Sequence, residues 1–316
     1  MNELEPGMQP PIALTEAPVH LRAAIVQMKP VKGRYAENLR AAGEAFAQLA
    51  GDLPDVVVFP EAAFTGYFLE GAVYDLALSA ARFAHDLAQQ WRQACGNAPV
   101  DLAAGFFENA EGTYYNSALY LQIEASGERV LHVHRKMFLP TYGVFDEERF
   151  FSRGRKLGVF ETRFGKMALL ICEDAWHAIV PTIAAIKGAR VLIVPSASPG
   201  RGIEGDGELS SVTQWRQTLR AAAMEHGVFV LYAGLTGFEG GKGMTGSSCA
   251  IDPRGTVLVQ APAQEACIVR ADLDLREIDL ARAGLPLLGD LGAVLPDLLL
   301  DEELPLPRGA RDLCDR

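Results

Sequence analysis

AAIVQ (23–27) and VVVFPE (56–61), echoed by ALLIC (168–172) and VLIVPS (191–196), are short and almost purely apolar runs. Runs of this kind read as strands buried on both faces, as in parallel sheets. Each pair encloses a helical pattern. Leu39, Ala42, Phe46 and Leu49 recur at helical spacing in the first, and residues 179–187 form the second. Two strand–helix–strand halves place the chain in the α/β class, with sheets covered by helices.

Working outward, Val73, Leu76, Ala80, Phe83, Leu87 and Trp91 mark one face of a single long helix. Residues 102–107, 117–123 and 130–134 read as neighbouring strands. In the second half a helix carries Trp215, Leu219, Ala222 and His226, and strands over 229–233 and 247–251 close the domain. Residues 1–20, with four prolines and no apolar period, read as an N-terminal arm. From residue 285 to 316 Leu, Pro and acidic residues mix without clean periodicity, which predicts a C-terminal tail. No low-complexity linker divides residues 21–284, so that stretch is expected to form a single domain.

The 316-residue chain is 49% hydrophobic and carries a formal net charge of −11, which excludes disorder throughout. The acidic surplus argues against nucleic acid or an acidic membrane as partner. No apolar run approaches the roughly 20 residues of a membrane span, and no basic-then-apolar leader opens the chain. The five cysteines, Cys95, Cys172, Cys249, Cys267 and Cys314, are odd in number and include no C-x-x-C pair. That spacing speaks against a disulfide framework or a thiolate zinc site and makes the reducing cytoplasm the expected location. No metal and no cofactor are expected.

Three polar residues sit at strand ends, where α/β folds place chemistry. Glu61 follows VVVFP, Lys136 follows the strand over 130–134, and Cys172 follows MALLI. Each alone has an ordinary explanation: a solvated or capping carboxylate, a surface lysine, a packed thiol. Together they form a coherent set. A thiolate is the nucleophile, a carboxylate takes its proton, and a lysine favours the thiolate and then meets the oxyanion formed on an amide carbonyl. Glu147 supplies a second carboxylate to orient the lysine or the substrate.

At this point VVVFPEAAFTGY (56–67), HRKMFLPTYGVFDEERFF (134–151) and MALLICEDAWH (167–177) resemble the three ordered motifs of the carbon–nitrogen hydrolase (nitrilase) superfamily. The resemblance extends over roughly 20–280, through ARVLIVPSASPGRG (189–202) and GSSCAIDPRG (246–255). It implies an α-β-β-α sandwich, paired with a second subunit as a homodimer or higher homo-oligomer. It also implies Glu61 as general base, Lys136 as oxyanion-stabilising lysine, Cys172 as nucleophile and Glu147 as the further glutamate. The Glu173 N–H would help bind the oxyanion.

Within the superfamily, FTGY, LPTYGVFDEERFF and CEDAW are most similar to the glutamine-hydrolysing domain of glutamine-dependent NAD synthetases. By that resemblance Tyr67, Tyr142, Phe145, Glu173, Ser196 and Ser198 line a substrate pocket, with Glu173 able to pair with a substrate ammonium. No ATP-binding synthetase domain and no SGG-type phosphate loop follow, so the expectation is a stand-alone amidase or a glutaminase subunit with a separate synthetase partner. The expected reaction is hydrolysis of a small, glutamine-like amide through a cysteine acyl-enzyme, releasing ammonia. The alternatives are a carbamoyl or nitrile substrate, acyl transfer to an amine, or a non-catalytic binding module on this fold.

Other signals carry less. Gly241, Gly243 and Gly246 satisfy G-x-G-x-x-G but precede a strand, which predicts a hairpin and not a dinucleotide site. His132 and His134 share a strand face without a third ligand. Asp174 could orient Lys136 or cap a helix, and capping is the preferred reading.

Overall fold

The computed structural model describes residues 18–202 and 209–301. Most of the N-terminal arm, Cys314 and the end of the tail lie outside the described residues.

The first half of the chain comprises β1 (His20–Gln27), α1 (Tyr35–Leu49), β2 (Val56–Val58), α2 (Val73–Leu76), α3 (Ala80–Cys95), β3 (Val100–Ala110), β4 (Thr113–Glu124) and β5 (Gly127–Arg135). The second comprises β6 (Val159–Thr162), β7 (Gly165–Leu169), α4 (Ile179–Ile186), β8 (Val191–Ser196), α5 (Ser210–His226) and β9 (Phe229–Gly234). It continues with β10 (Thr236–Glu239), β11 (Lys242–Thr245), β12 (Cys249–Ile251), β13 (Val257–Gln260), β14 (Cys267–Asp274), α6 (Arg276–Gly284) and α7 (Leu287–Leu300).

Among the described residues the strands form two six-stranded sheets, ordered β14-β1-β2-β3-β4-β5 and β13-β12-β9-β8-β7-β6. Each sheet has three parallel strands at its centre, flanked by antiparallel ones. Reversing one order superposes it on the other, so the echo between 23–61 and 168–196 is a real topological repeat.

The alternation of side chains across a strand explains the layering. Ala23, Ile25, Val56 and Val58 point toward the second sheet, in one core with Met167, Leu169, Val191 and Ile193. Ala24, Val26 and Val57 point the other way, against Phe46 of α1 and Phe83, Leu87 and Trp91 of α3. Val180, Trp215 and Leu219 close the far face of the second sheet. The result is the α-β-β-α sandwich expected from the sequence.

Three readings need correction. The long helix over 73–91 is broken after Leu76. Leu78 leaves the helix to exchange backbone hydrogen bonds with β3 (Leu78 N to Phe107 O, 3.0 Å; Asn109 N to Leu78 O, 2.9 Å), and Ser79 then caps α3 by accepting from Arg82 N. The strand at 249–251 does not close the domain, because β13 and β14 follow and β14 pairs along all of β1. The region beyond 284 contains α7, a helix that includes Pro296 and leaves every residue at least partly exposed. The G-x-G-x-x-G glycines fall in and after the β10–β11 hairpin, as expected for a turn.

An ion pair with one buried partner also links the sheets. Asp101, fully buried on β3, accepts from the Tyr120 hydroxyl at 2.9 Å and lies 3.6 Å from the Arg163 guanidinium. Burial outweighs that cation and pushes the Asp101 carboxyl up to about 6 from its ordinary 3.8. A raised acid favours the folded state below its unfolded value, and that contribution is lost as pH rises through the folded value. In urea unfolding, Asp101→Asn should therefore gain up to about 3 kcal/mol on the wild type between pH 4 and pH 7.5. Parallel pH profiles for the two proteins would refute this.

Gly105 of β3 carries the chain past the end of β2. A Cβ there would sit 2.6 Å from both the Glu61 Cα and the Pro60 carbonyl oxygen. Gly105→Ala should cost about 1–3 kcal/mol by overpacking and lower the Tm by several degrees. An unchanged melting curve would mean that the strand ends have room to part.

Candidate active site

Glu61, Lys136 and Glu147 meet in the interior. The Lys136 Nζ donates to Glu61 Oε1 at 2.9 Å and to Glu147 Oε1 at 2.6 Å, with Lys136 and Glu61 fully buried. Glu61 stands just beyond β2, Lys136 just beyond β5, and Glu147 opens a short 3-10 turn, Glu147–Arg149.

Cys172 joins this group through β8, whose last residue and its successor touch both partners. The Ser196 hydroxyl donates to Cys172 Sγ at 3.3 Å, and the next residue's Ala197 N–H donates to Glu61 Oε2 at 2.7 Å. Cys172 has φ +46° and Ala62, directly after Glu61, has φ +53°. Left-handed backbone at a non-glycine residue costs of order 1–3 kcal/mol, and it turns both chains sharply at the strand ends. Cys172 opens the 3-10 segment Cys172–Trp176.

Asp174 ties the cysteine segment to the lysine segment. Its Oδ1 accepts from Met137 N and Phe138 N, both at 3.0 Å. Its Oδ2 accepts from Ile171 N at 3.2 Å and pairs with the His134 ring at 2.8 Å. Asp174 is thus the cap expected from the sequence, and it also holds the chain that carries Lys136. His134 is committed to Asp174, and His132 stacks on Phe160.

Lys136 favours the thiolate, as expected, but it is outweighed. Burial and the Glu61 carboxylate push the Cys172 thiol well above its usual range, and Lys136 only partly opposes them. Burial lowers the Lys136 ammonium, but Glu147 and Glu61 outweigh it, so its affinity for the proton is raised. Glu147 is pushed up to about 7, by burial first, with Lys136 pulling the other way.

A cavity of about 230 Å³ opens on Cys172. Of the expected pocket residues, Tyr142, Phe145, Glu173 and Ser198 line it, and Ser196 lies buried against the sulfur. Tyr142 donates to Glu173 Oε2 at 2.8 Å. Tyr67 instead lines a separate cavity of about 670 Å³, and its hydroxyl donates to Glu147. Sequence reasoning missed several residues here. Asn116 Nδ2 donates to Glu61 Oε1 at 2.7 Å and lies 3.4 Å from Glu147 Oε1. Trp176, His177 and Arg201 line the Cys172 cavity. All three lie inside the motif stretches 167–177 and 189–202, whereas Asn116 sits in an ordinary-looking strand and left no signal.

A two-sheet α-β-β-α sandwich with a buried cysteine, lysine and glutamate at adjoining strand ends defines a class of α/β protein. The sequence model of that class, carbon-nitrogen hydrolase, matches residues 22–283. The chain belongs to the carbon–nitrogen hydrolase family. It is 31% identical over 257 residues to the glutamine-dependent NAD(+) synthetase of Thermotoga maritima, covering 81% of this chain and 42% of that one. The chain therefore spans less than half the length of that relative. It is 29% identical over 260 residues to the 2-oxoglutaramate amidase of Bacillus subtilis, covering 82% of this chain and 93% of that one. Among solved structures, a carbon–nitrogen hydrolase from Helicobacter pylori G27 superposes with a TM-score of 0.76 at 26% identity, over 89% of this chain and 98% of that one.

Removing the Lys136 charge would leave two buried carboxylates facing each other. Lys136→Met should destabilise by about 3–5 kcal/mol, and adding Glu147→Gln should restore part of that loss. Urea unfolding of the single and double variants checks this. A double variant no more stable than the single would assign the loss to packing.

Proposed function

We propose that the protein hydrolyses the terminal amide of a small, glutamine-like substrate through a Cys172 acyl-enzyme. The observation that carries this reading is the valence of the buried cluster. An ammonium has three donors. Glu61 and Glu147 take two of those of Lys136, leaving one for an oxyanion beside Cys172. A carboxylate has about four acceptor sites. Lys136, Asn116 and Ala197 fill three on Glu61, leaving one for the thiol proton.

The raised thiol sets the order of events. The proton stays on sulfur until substrate arrives and passes to Glu61 as Sγ bonds to the amide carbon. The carbonyl oxygen becomes an anion held by Lys136 Nζ and the Glu173 N–H. As it collapses to the thioester, Glu61 gives its proton to the leaving nitrogen, which departs as ammonia. Glu61 then takes a proton from water, whose oxygen attacks the thioester. The carboxylic product leaves, and the proton returns to sulfur. The chain's own side chains complete this cycle.

Glu173 and Arg201 place opposite charges in the small cavity, which suits an ammonium and a carboxylate on one substrate. A second reading, 2-oxoglutaramate, is favoured by the match to nearly the whole of the Bacillus amidase. We also propose self-association, since α4 leaves Ile179, Ile183 and Ile186 exposed.

Ammonia release from glutamine, 2-oxoglutaramate and simpler primary amides should separate these substrates. Cys172→Ala should abolish release, and Glu61→Gln should lower kcat/KM by about 10²–10⁴-fold with the fold intact by circular dichroism. Release that survives in Cys172→Ala would overturn the acyl-enzyme.

A further inference from the structure

A second cavity, of about 530 Å³, shares the wall formed by Tyr142, Glu173 and His177 with the Cys172 cavity. Arg153 and Arg155 line it. Among the described residues neither guanidinium has a hydrogen bond or ion pair, unlike most arginines in this chain. Their placement is fixed by the backbone. Ser152 N donates to Tyr114 O at 2.8 Å and Gly154 N to Lys136 O at 2.7 Å, so the segment is pinned to the chain that carries the buried lysine. At Gly154 a Cβ would lie 2.0 Å from the Arg135 carbonyl oxygen, so only glycine allows this approach. Arg153 and Arg155 stand either side of that glycine and reach the same cavity. Glu148 and Glu173 supply carboxylates to the same lining.

We propose that this cavity is an extension of the catalytic pocket that takes an acidic aminoacyl group joined to the α-nitrogen of a glutamine-type amide. The site deepens the amidase reading and rests on it for the position of the scissile bond. Glu173, proposed above to face the α-nitrogen, lines both cavities, so the proposed extension passes over its side chain into the second one, and the acylated nitrogen keeps one N–H to donate to it. There the added carboxylate meets the two uncommitted guanidiniums, and its ammonium meets Glu148. A cationic pair left unpaired in a chain of net charge −11 is thereby matched to an anionic group.

The test uses aspartyl-glutamine and alanyl-glutamine, which differ only in the distal carboxylate. Binding is measured by calorimetry in the Cys172→Ala background, and ammonia release in the cysteine-containing protein. The expected result is tighter binding of aspartyl-glutamine by about fivefold, a matching kcat/KM preference, and weakening of both at 0.5 M salt. The preference should vanish in Arg153→Ala/Arg155→Ala and persist in Lys156→Ala, which removes a nearby exposed charge that does not line the cavity. Equal binding of the two dipeptides, binding of neither, or an equal loss in Lys156→Ala would overturn the site. A binding preference without ammonia release from any amide would keep the site and overturn the amidase reading.

Discussion

One buried ammonium organises the centre of this protein. Lys136 has no exposed surface, and a lone charge there would cost several kcal/mol. It is tolerated because Glu61 and Glu147 face it from two sides, and each of those carboxylates is held in turn. Asn116 and the Ala197 N–H hold Glu61, and the Tyr67 hydroxyl reaches Glu147. The support continues outward, for Glu239 accepts from Tyr67 N and Phe68 N at 2.9 and 3.0 Å. The β10–β11 hairpin thus orients a tyrosine that orients a glutamate. Because Lys136, Glu61, Glu147, Asn116, Tyr67 and Glu239 are all buried, the cluster can hold its geometry before any substrate arrives.

The cost of this arrangement appears at the strand ends. Cys172 and Ala62 both adopt left-handed backbone, and Gly105 and Gly154 admit approaches that no side chain would permit. Asp174 counters that strain by gathering four donors from the two segments that bear Lys136 and Cys172. The thiol remains a thiol in this environment. In the proposed mechanism reactivity would therefore depend on proton transfer to Glu61 as attack occurs, not on a thiolate held ready.

Much of this was legible in the sequence because it was written locally. The apolar runs at 23–27, 56–59, 168–171 and 191–194 are buried strands, and Glu61, Cys172 and Ser196, which follow the last three, are residues the fold gathers. What stayed hidden depends on distant partners. The break at Leu78 is decided by β3, and β14 looks unremarkable until it meets β1, more than 240 residues earlier. Asn116 lies among apolar strand residues and acquires its role only when two carboxylates arrive from elsewhere. Tyr67 lines a cavity, and its hydroxyl also reaches Glu147, a contact no spacing rule anticipates. α7 escaped notice because a proline interrupts its pattern and no residue on it is buried.

The pairing of β1 with β14 bears on how the chain reaches this state. β1 runs parallel to β2 on one side, and among the described residues its other edge is covered only by residues 267–274. Gln27, at the end of β1, likewise waits for the carbonyls of Pro262 and Glu265. On a ribosome moving at about 5–20 residues per second, that edge stays open for on the order of tens of seconds after β1 emerges. An uncovered, largely apolar strand is a template for pairing with a neighbouring nascent chain. Glu61 and Cys172 are by then both synthesised, yet the sheet that seats Glu61 is still missing its last strand. Synthesis order therefore leaves the edge of β1 open to such pairing until β14 closes the sheet.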